Sequence, residues 1–404
     1  MKNDLSKKTE PLSSPTKSSK IKQLFFWCLF LIIPLVVMEL FSFTYIKLTS
    51  QKGTYRERFK QVANPYHPYL GYVHAPNYIF NIYKGLSKKM RLLTDENGYS
   101  ITPYFSESNP DMTIIVTGGS TIFGVGSSDN STTVPSILER IINKRLKIRT
   151  EVLNLSLRGA QSFQEMLLID RFLAENKADL VLAISGRNDA DHAIVEPTVE
   201  GAFVKKHVWD NAVSLVHKAE RGDLMVINLT HKLRYWSYTY DFLYRQITGH
   251  SGPVQYSATT LATPNKRNLR REASTNTQQR ARITATHFAA ADQISKMNGA
   301  TFVMLLQPTL FNKNTWTEEE IRRLKRHKWS DEFIQKRQQN ENEFYDAFRK
   351  NEKPFQFIDL SNIFSESNET LYIDQCHYND LAAEKFAEKI FGSIQPLLLK
   401  MKTR

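Results

Sequence analysis

The sequence predicts an α/β fold built on a doubly wound parallel sheet. Three observations carry this prediction. Short apolar, β-branched runs recur along the chain, amphipathic helical patterns fall between them, and glycine- or asparagine-bearing turns follow the runs at their carboxyl ends. Residues 112–116 (Met-Thr-Ile-Ile-Val) form the first run and end at Gly118-Gly119-Ser120. A serine between tight glycine turns at the carboxyl end of a strand lies where open α/β sheets place their chemistry.

The remaining elements follow in order. Val134, Ile137, Leu138, Ile141 and Ile142 repeat at helical spacing and form one apolar face. Residues 151–155 read as the second strand, with Gly159 after it and a capping box, Ser162-Phe163-Gln164-Glu165, opening the next helix. Residues 180–184 are the third strand and run into Gly186-Arg187-Asn188-Asp189. Residues 300–306 are the fourth, stopped by Gln307-Pro308, and 355–360 the fifth. Asn379 caps a last helix with Phe386, Ile390 and Ile394 on one face. Strands that alternate with helices pair in parallel, so the sheet is expected to carry helices on both faces.

The ends and insertions set the domain plan. Residues 1–23 form a polar, lysine- and serine-rich tail, and 24–46 an apolar run of 23 residues with a single charge, Glu39. That length crosses a bilayer with some tilt. No small-residue cleavage site follows it, which favours an uncleaved transmembrane anchor over a signal peptide. Six lysines precede the run (Lys2, Lys7, Lys8, Lys17, Lys20, Lys22), while Lys47, Lys52, Arg56, Arg58 and Lys60 follow it. The count favours a cytoplasmic N-terminus and an external, periplasmic or extracellular, C-terminal domain. Residues 47–110 read as a stalk and lead-in that packs loosely on the main domain of 111–404. An insertion at about 190–275 interrupts that domain. Its aromatic run, Tyr235 to Tyr244, is read as a packed helix rather than a sugar-stacking surface. A second segment, 317–350, opens with the capping box Thr317-Glu318-Glu319-Glu320. It carries Arg322, Arg323, Lys325, Arg326 and Lys328, read as a solvated face with a glycan-binding strip as the alternative.

The formal charge of +13 favours acidic partners such as anionic glycans or lipid head groups. Nucleic acid is not expected, because the basic residues do not interleave with aromatics in an RNA-reading pattern and no zinc-finger spacing occurs. The two cysteines, Cys28 and Cys376, are far apart and one lies in the apolar run, so no internal disulfide is expected.

The chemistry-bearing residues converge on one edge. A serine hydroxyl is a weak nucleophile and needs a base. Asp374 and His377, three residues apart, can share a turn, with the carboxylate on one imidazole nitrogen and the other nitrogen facing Ser120. Acyl transfer also needs donors for an oxyanion. The Ser120 backbone N–H, Gly159 after the second strand and Asn188 after the third are the candidates. All fall at carboxyl ends of predicted strands or in the loop after the last one. Asp189, Asp191 and His192 suggest no fourth ligand, so neither a metal site nor a cofactor is expected. Cys376 reads as a packing residue, because a thiol beside the base would need its own proton acceptor.

Taken together the four blocks resemble the SGNH, or GDSL-type, hydrolase superfamily. Gly118-Gly119-Ser120 resembles the first block, with Gly119 where many members carry Asp, and residues 154–159 (Asn-Leu-Ser-Leu-Arg-Gly) are similar to the second. Gly186-Arg187-Asn188-Asp189 resembles the third and Asp374-Gln375-Cys376-His377 the last, with Ala382-Ala383 where many members carry Gly-Asn. The resemblance covers about residues 111–395 apart from the insertion. It implies a three-layer α/β/α flavodoxin-like domain, Ser120 as nucleophile, His377 as base and Asp374 as its orienter. Gly159 and Asn188 would complete the oxyanion hole with Ser120. The implied activity is serine esterase chemistry through an acyl-serine. The anchor and the basic charge point to an O-acylated, in particular an O-acetylated, envelope or extracellular glycan. Transfer of the acyl group to a sugar is the first alternative, and a non-catalytic glycan-binding or export-assembly role the second.

Overall fold

The computed structural model describes residues 17–49, 64–65, 67, 69–82, 90–105, 109–195, 223–248, 273–326 and 329–402. The chain divides into two compact units, Val62–His217 with Gln255–Arg404, and Met1–Gln61 with Lys218–Val254.

The larger unit opens with a short antiparallel hairpin, β1 (Ile79–Ile82) and β2 (Met90–Leu93). The main sheet has five parallel strands: β3 (Met112–Gly118), β4 (Thr150–Asn154), β5 (Leu180–Ser185), β6 (Thr301–Leu306) and β7 (Gln356–Asp359). Their spatial order is β4-β3-β5-β6-β7, all in parallel register. Counted from β3, this is the flavodoxin-like order 2-1-3-4-5, whose switch point lies beside the first strand.

Both faces of the sheet are covered, and the strand alternation shows how. Ile114, Val116, Leu180, Leu182, Ile184, Val303 and Leu305 face one layer, where Ile137, Leu138, Ile141, Phe386, Ile390 and Ile394 meet them. These come from helices Val134–Leu146 and Asp380–Lys402. Ile115, Val181, Ala183, Phe302, Met304 and Leu306 face the other layer. There Ile169, Phe288 and Phe344 arrive on helices Ser162–Glu175, Ala273–Met297 and Asp331–Lys350. Each fully buried aliphatic side chain contributes roughly 1.5–3 kcal/mol, so strands apolar on both faces are committed to the interior.

The structure corrects the sequence reading at two places. The described part of the lead-in, within residues 64–105, does not pack loosely. Leu70 and Tyr72 are buried with Leu157, Ala160 and Leu168, and Tyr72 donates to the Arg158 carbonyl at 2.7 Å. Phe80 and Leu92 are buried against Phe123 and Val125. Scattered aromatics that read as stalk are therefore the cover over the turns after β3 and β4. The second correction is the helix start after β4. Gln161, not Ser162, is the cap, and it forms a reciprocal box with Gln164. Ser162 is the first helical residue and donates to Asp189 at 2.7 Å, because a buried carboxylate outcompetes the helix end for its hydroxyl.

In the smaller unit, helix Lys17–Thr49 contains the segment Phe25–Thr49, which is long and apolar enough to cross a membrane. Helices Asp223–Trp236 and Tyr238–Thr248 form a hairpin broken at Ser237. Part of its aromatic run packs, with Tyr238 on Phe43 and Phe242 on Tyr45, while Trp236 stays exposed.

Candidate active site

The site is built where β3 ends. Gly118 leaves no room for a side chain, since a Cβ there would lie 2.6 Å from the Ile184 carbonyl oxygen of the neighbouring strand. Ser120 then starts a single helical turn, Ser120–Phe123, closed by Gly124 in the left-handed region. The second block is tied to this turn. Leu157 N–H donates to the Gly118 carbonyl at 3.0 Å, and the Asn154 side chain donates to the Ile122 carbonyl at 3.0 Å.

Ser120 Oγ lies 2.7 Å from His377 Nε2, and His377 Nδ1 lies 2.8 and 2.7 Å from the two oxygens of Asp374. Asp374 is itself fixed. Its Oδ1 accepts from the backbone N–H of Cys376 at 3.1 Å and of His377 at 2.9 Å. Asp374 and His377 are buried, whereas Ser120 is half-buried at the edge. The loop that holds them is locked by Tyr378, whose hydroxyl donates to the Pro308 carbonyl at 2.7 Å, and by Asn379, whose side chain caps the last helix at Ala382 N–H. An Asp-x-x-His turn before that helix thus delivers the imidazole to a serine 257 residues away.

The oxyanion candidates meet at the same edge. Asn188 Nδ2 donates to the Ala160 carbonyl at 2.6 Å, which puts the amide beside Gly159. A Cβ on Gly119 would lie 2.3 Å from that same Nδ2. Asn188 therefore sits on the bare backbone of Gly119, between the serine turn and the turn carrying Gly159. Gly159 has φ +78°, a conformation suited to glycine, so its turn is compatible with the residue found there. Ser120, Asp374, His377, Gly159 and Asn188 all belong to this one cluster of turns.

Asp189 turns its carboxylate to the start of helix Ser162–Glu175, while the His192 side chain lies outside the described residues. Asp189 accepts from Ser162 and from Thr284, at 3.1 Å for the latter, and burial raises its pKa. Among the described residues one group of three metal-capable side chains occurs, Asp374, Cys376 and His377. Both imidazole nitrogens there are already engaged, by Ser120 and Asp374, so an ion could enter only by dismantling that relay. Cys376 is buried, with Sγ 3.7 Å from His377 Nδ1.

Two buried features were not legible in the sequence. The Glu165 carboxylate lies under the sheet and accepts from Thr117 at 3.1 Å and Ser185 at 2.6 Å, which joins β3 to β5 just below the site. Burial, reinforced by Asp189, pushes its pKa up to about 8. The second is an ion cluster behind Asn188. Arg187 Nε lies 3.0 Å from Glu341, and Asp191 pairs with Arg337. Burial, the largest single influence, lowers the Arg187 pKa, but Glu341, Cys376, Tyr345 and Asp374 together turn the net direction upward. Burial and the repulsion of Arg187 lower Arg337 to about 10. Positions 187 and 341 share no local pattern, so no sequence signal pointed to the pair. The basic residues of helix Glu318–Lys325 are partly consumed locally, with Arg322 and Arg323 on Glu319 and Arg323 on the Tyr372 carbonyl.

No family model matches the chain, and no curated protein matches it. Solved structures do. The chain is similar to the acetyl xylan esterase AlAXEase, at 11% identity over 70% of this chain and 100% of that one, with a TM-score of 0.37. Axe2, an acetylxylan esterase from Geobacillus stearothermophilus, is 10% identical over 72% of this chain and 96% of its own, with a TM-score of 0.36. TesA is 13% identical over 70% and 99%, with a TM-score of 0.34. At such identities the chemistry is read from this chain's own side chains.

Proposed function

We propose that the protein is a membrane-anchored serine esterase of SGNH type that removes O-acyl groups from a glycan. The observation that carries this reading is the unbroken relay from Ser120 Oγ through His377 to Asp374. Asp374 accepts from Nδ1–H and so leaves Nε2 as the acceptor aimed at the serine. As Ser120 Oγ bonds to the ester carbonyl carbon, its proton passes to Nε2 and the carbonyl oxygen becomes an oxyanion. The Ser120 and Gly159 N–H groups and the Asn188 amide would face that oxygen. Collapse breaks the C–O bond to the alcohol, which takes the proton from Nε2 and leaves an acyl-serine. Water, deprotonated by the same imidazole, then releases the acid and restores Ser120.

The glycan and the anchor rest on coarser support. The apolar segment Phe25–Thr49 and the +13 charge suggest a membrane-bound protein facing anionic polymers. The expected topology is a cytoplasmic tail followed by a periplasmic or extracellular domain. The test uses the full chain in detergent with a chromogenic acetate ester. Brief mixing should leave an acetyl group on the Ser120 peptide by mass spectrometry, and Ser120→Ala should abolish both adduct and turnover. Full turnover by Ser120→Ala would reject the mechanism. Adding an acetylatable glycan should barely change the yield of free acetate, and acetate found mainly on the glycan would replace hydrolysis by transfer.

A further inference from the structure

The anchor's one charged residue is not isolated. The Glu39 carboxylate accepts from Ser237 Oγ at 3.0 Å, from the Thr239 N–H at 3.0 Å and from the Tyr238 N–H. It thus sits at the N-terminus of helix Tyr238–Thr248, where the unpaired N–H groups and the helix dipole favour an anion. Glu39, Ser42, Phe43 and Ile46 share one face of the anchor, and Ser42 and Ile46 are buried on it. The apolar residues from Phe25 to Met38 whose exposure is described stay open.

Depth follows from length. Lys22 and Lys47 flank the apolar run. At about 1.5 Å per residue they are about 37 Å apart, and Glu39 is about 25 Å from Lys22. A hydrocarbon core of about 30 Å fitted between the two lysines ends roughly 5–12 Å beyond Glu39. The hairpin docked on residues 39–46 therefore meets the bilayer at the depth where interfacial amphipathic helices lie, about 5–10 Å into the headgroup boundary.

Its surface suits that place. Three of the hairpin's charges close on one another, while Lys232 stays exposed: Asp241 pairs with Arg234 at 2.8 Å and with Arg245 at 2.6 Å, and Arg234 lies 4.1 Å from the Tyr244 ring centroid. Arg234 and Asp241 are fully buried. What faces outward includes Leu229, Leu233 and Trp236 at helical spacing on one helix, and Leu243 and Ile247 on the other. In water such stripes would be a liability.

We propose that helices Asp223–Trp236 and Tyr238–Thr248 form an interfacial hairpin embedded in the leaflet at the anchor's C-terminal end, clamped there by Glu39, with lipid as the partner of its apolar stripes. The proposal rests on the reading of the apolar helix as a membrane anchor. The test is site-specific photocrosslinking of the full chain in phosphatidylcholine–phosphatidylglycerol vesicles. Benzoylphenylalanine replaces Leu35, Leu243, Ile247 or, as an exposed reference in the α/β unit, Lys389, one at a time. Lipid adducts are expected at Leu35, Leu243 and Ile247 and not at Lys389. Adducts at Leu35 without any at Leu243 or Ile247 overturn the hairpin proposal and leave the anchor standing. No adduct at Leu35 overturns the anchor reading and the hairpin with it. In native membranes, protein adducts at Leu243 and Ile247 in place of lipid would replace the bilayer by a protein partner. Glu39→Ala should lower the adducts at Leu243 and Ile247 severalfold while Leu35 keeps its own, and unchanged yields would remove Glu39 as the clamp.

Discussion

Asn188 lies against the serine turn because residue 119 has no side chain. In the family that the sequence resembles, many members carry Asp there, and here the space is filled by the Asn188 amide. If Asn188 supplies an oxyanion donor, Asn188→Ala should lower kcat on the order of 100- to 1,000-fold with the fold intact. A folded variant with unchanged kcat would take Asn188 out of the mechanism. Gly119→Ala should act through the same amide. The new Cβ meets the flexible end of Asn188 rather than backbone, so the protein should fold and the loss should fall on kcat. Combining the two substitutions should cost little more than either alone, since both remove one interaction. Full additivity in steady-state kinetics would show that Gly119 acts some other way.

Two buried carboxylates hold elements together at a pH-dependent cost. Glu165 joins β3 to β5, with its pKa up at about 8. Glu139, on helix Val134–Leu146, accepts from Val152 N–H at 3.1 Å and Tyr104 N–H at 3.0 Å, and burial takes it up to about 7. A carboxyl whose folded pKa is raised binds its proton more tightly folded than unfolded. Its stabilisation is complete below the ordinary value of 4.5 and is lost as pH climbs through 7 and 8. Denaturant titrations should therefore show stability falling from pH 5 to pH 9, and Glu165→Gln should flatten that decline. An equal decline in wild type and variant would place the cost elsewhere. Gly126 is required by a close approach of backbone. Its φ of +117° is in the left-handed range, and a Cβ there would lie 1.9 Å from the Tyr378 carbonyl oxygen, in the residue after the imidazole. Gly126→Ala should shift the His377 loop and lower both activity and stability, read by kcat and thermal unfolding.

At the scale of the whole molecule, the charge count across the apolar helix leads to a topological expectation. Protease added outside intact cells or spheroplasts should digest the α/β domain, and protection until the membrane is breached would reverse the orientation. The positive charge should act on substrate capture rather than on chemistry. Raising ionic strength should raise KM for an anionic acylated polysaccharide and leave kcat/KM for a small neutral ester nearly unchanged. Equal salt dependence for both substrates would remove the basic surface from recognition.

Local periodicity settled much of this protein. The inner strands β3, β5 and β6 were visible because apolar residues on both faces of a parallel strand make an unbroken run, whereas the edge strands β4 and β7 showed only short apolar stretches between polar residues. The serine and the Asp-x-x-His turn were visible because their chemistry is carried by residue types at short spacing. The 2-1-3-4-5 order brings Ser120 and His377 within 2.7 Å, a closeness no local pattern states. Only tertiary structure decided the contacts between distant segments. Leu70 and Tyr72 look like lead-in until Leu157 covers them, Ser162 looks like a cap until Asp189 takes its hydroxyl, and Arg187 shows only its i,i+4 neighbour Asp191 until helix Asp331–Lys350 brings Glu341. Glu39 looked like a lone charge in an apolar run until a helix start from 198 residues away supplied its donors. The physical reason is common to all four. Propensity and periodicity act over one or two turns, whereas burial and ion pairing depend on which surfaces the chain brings together.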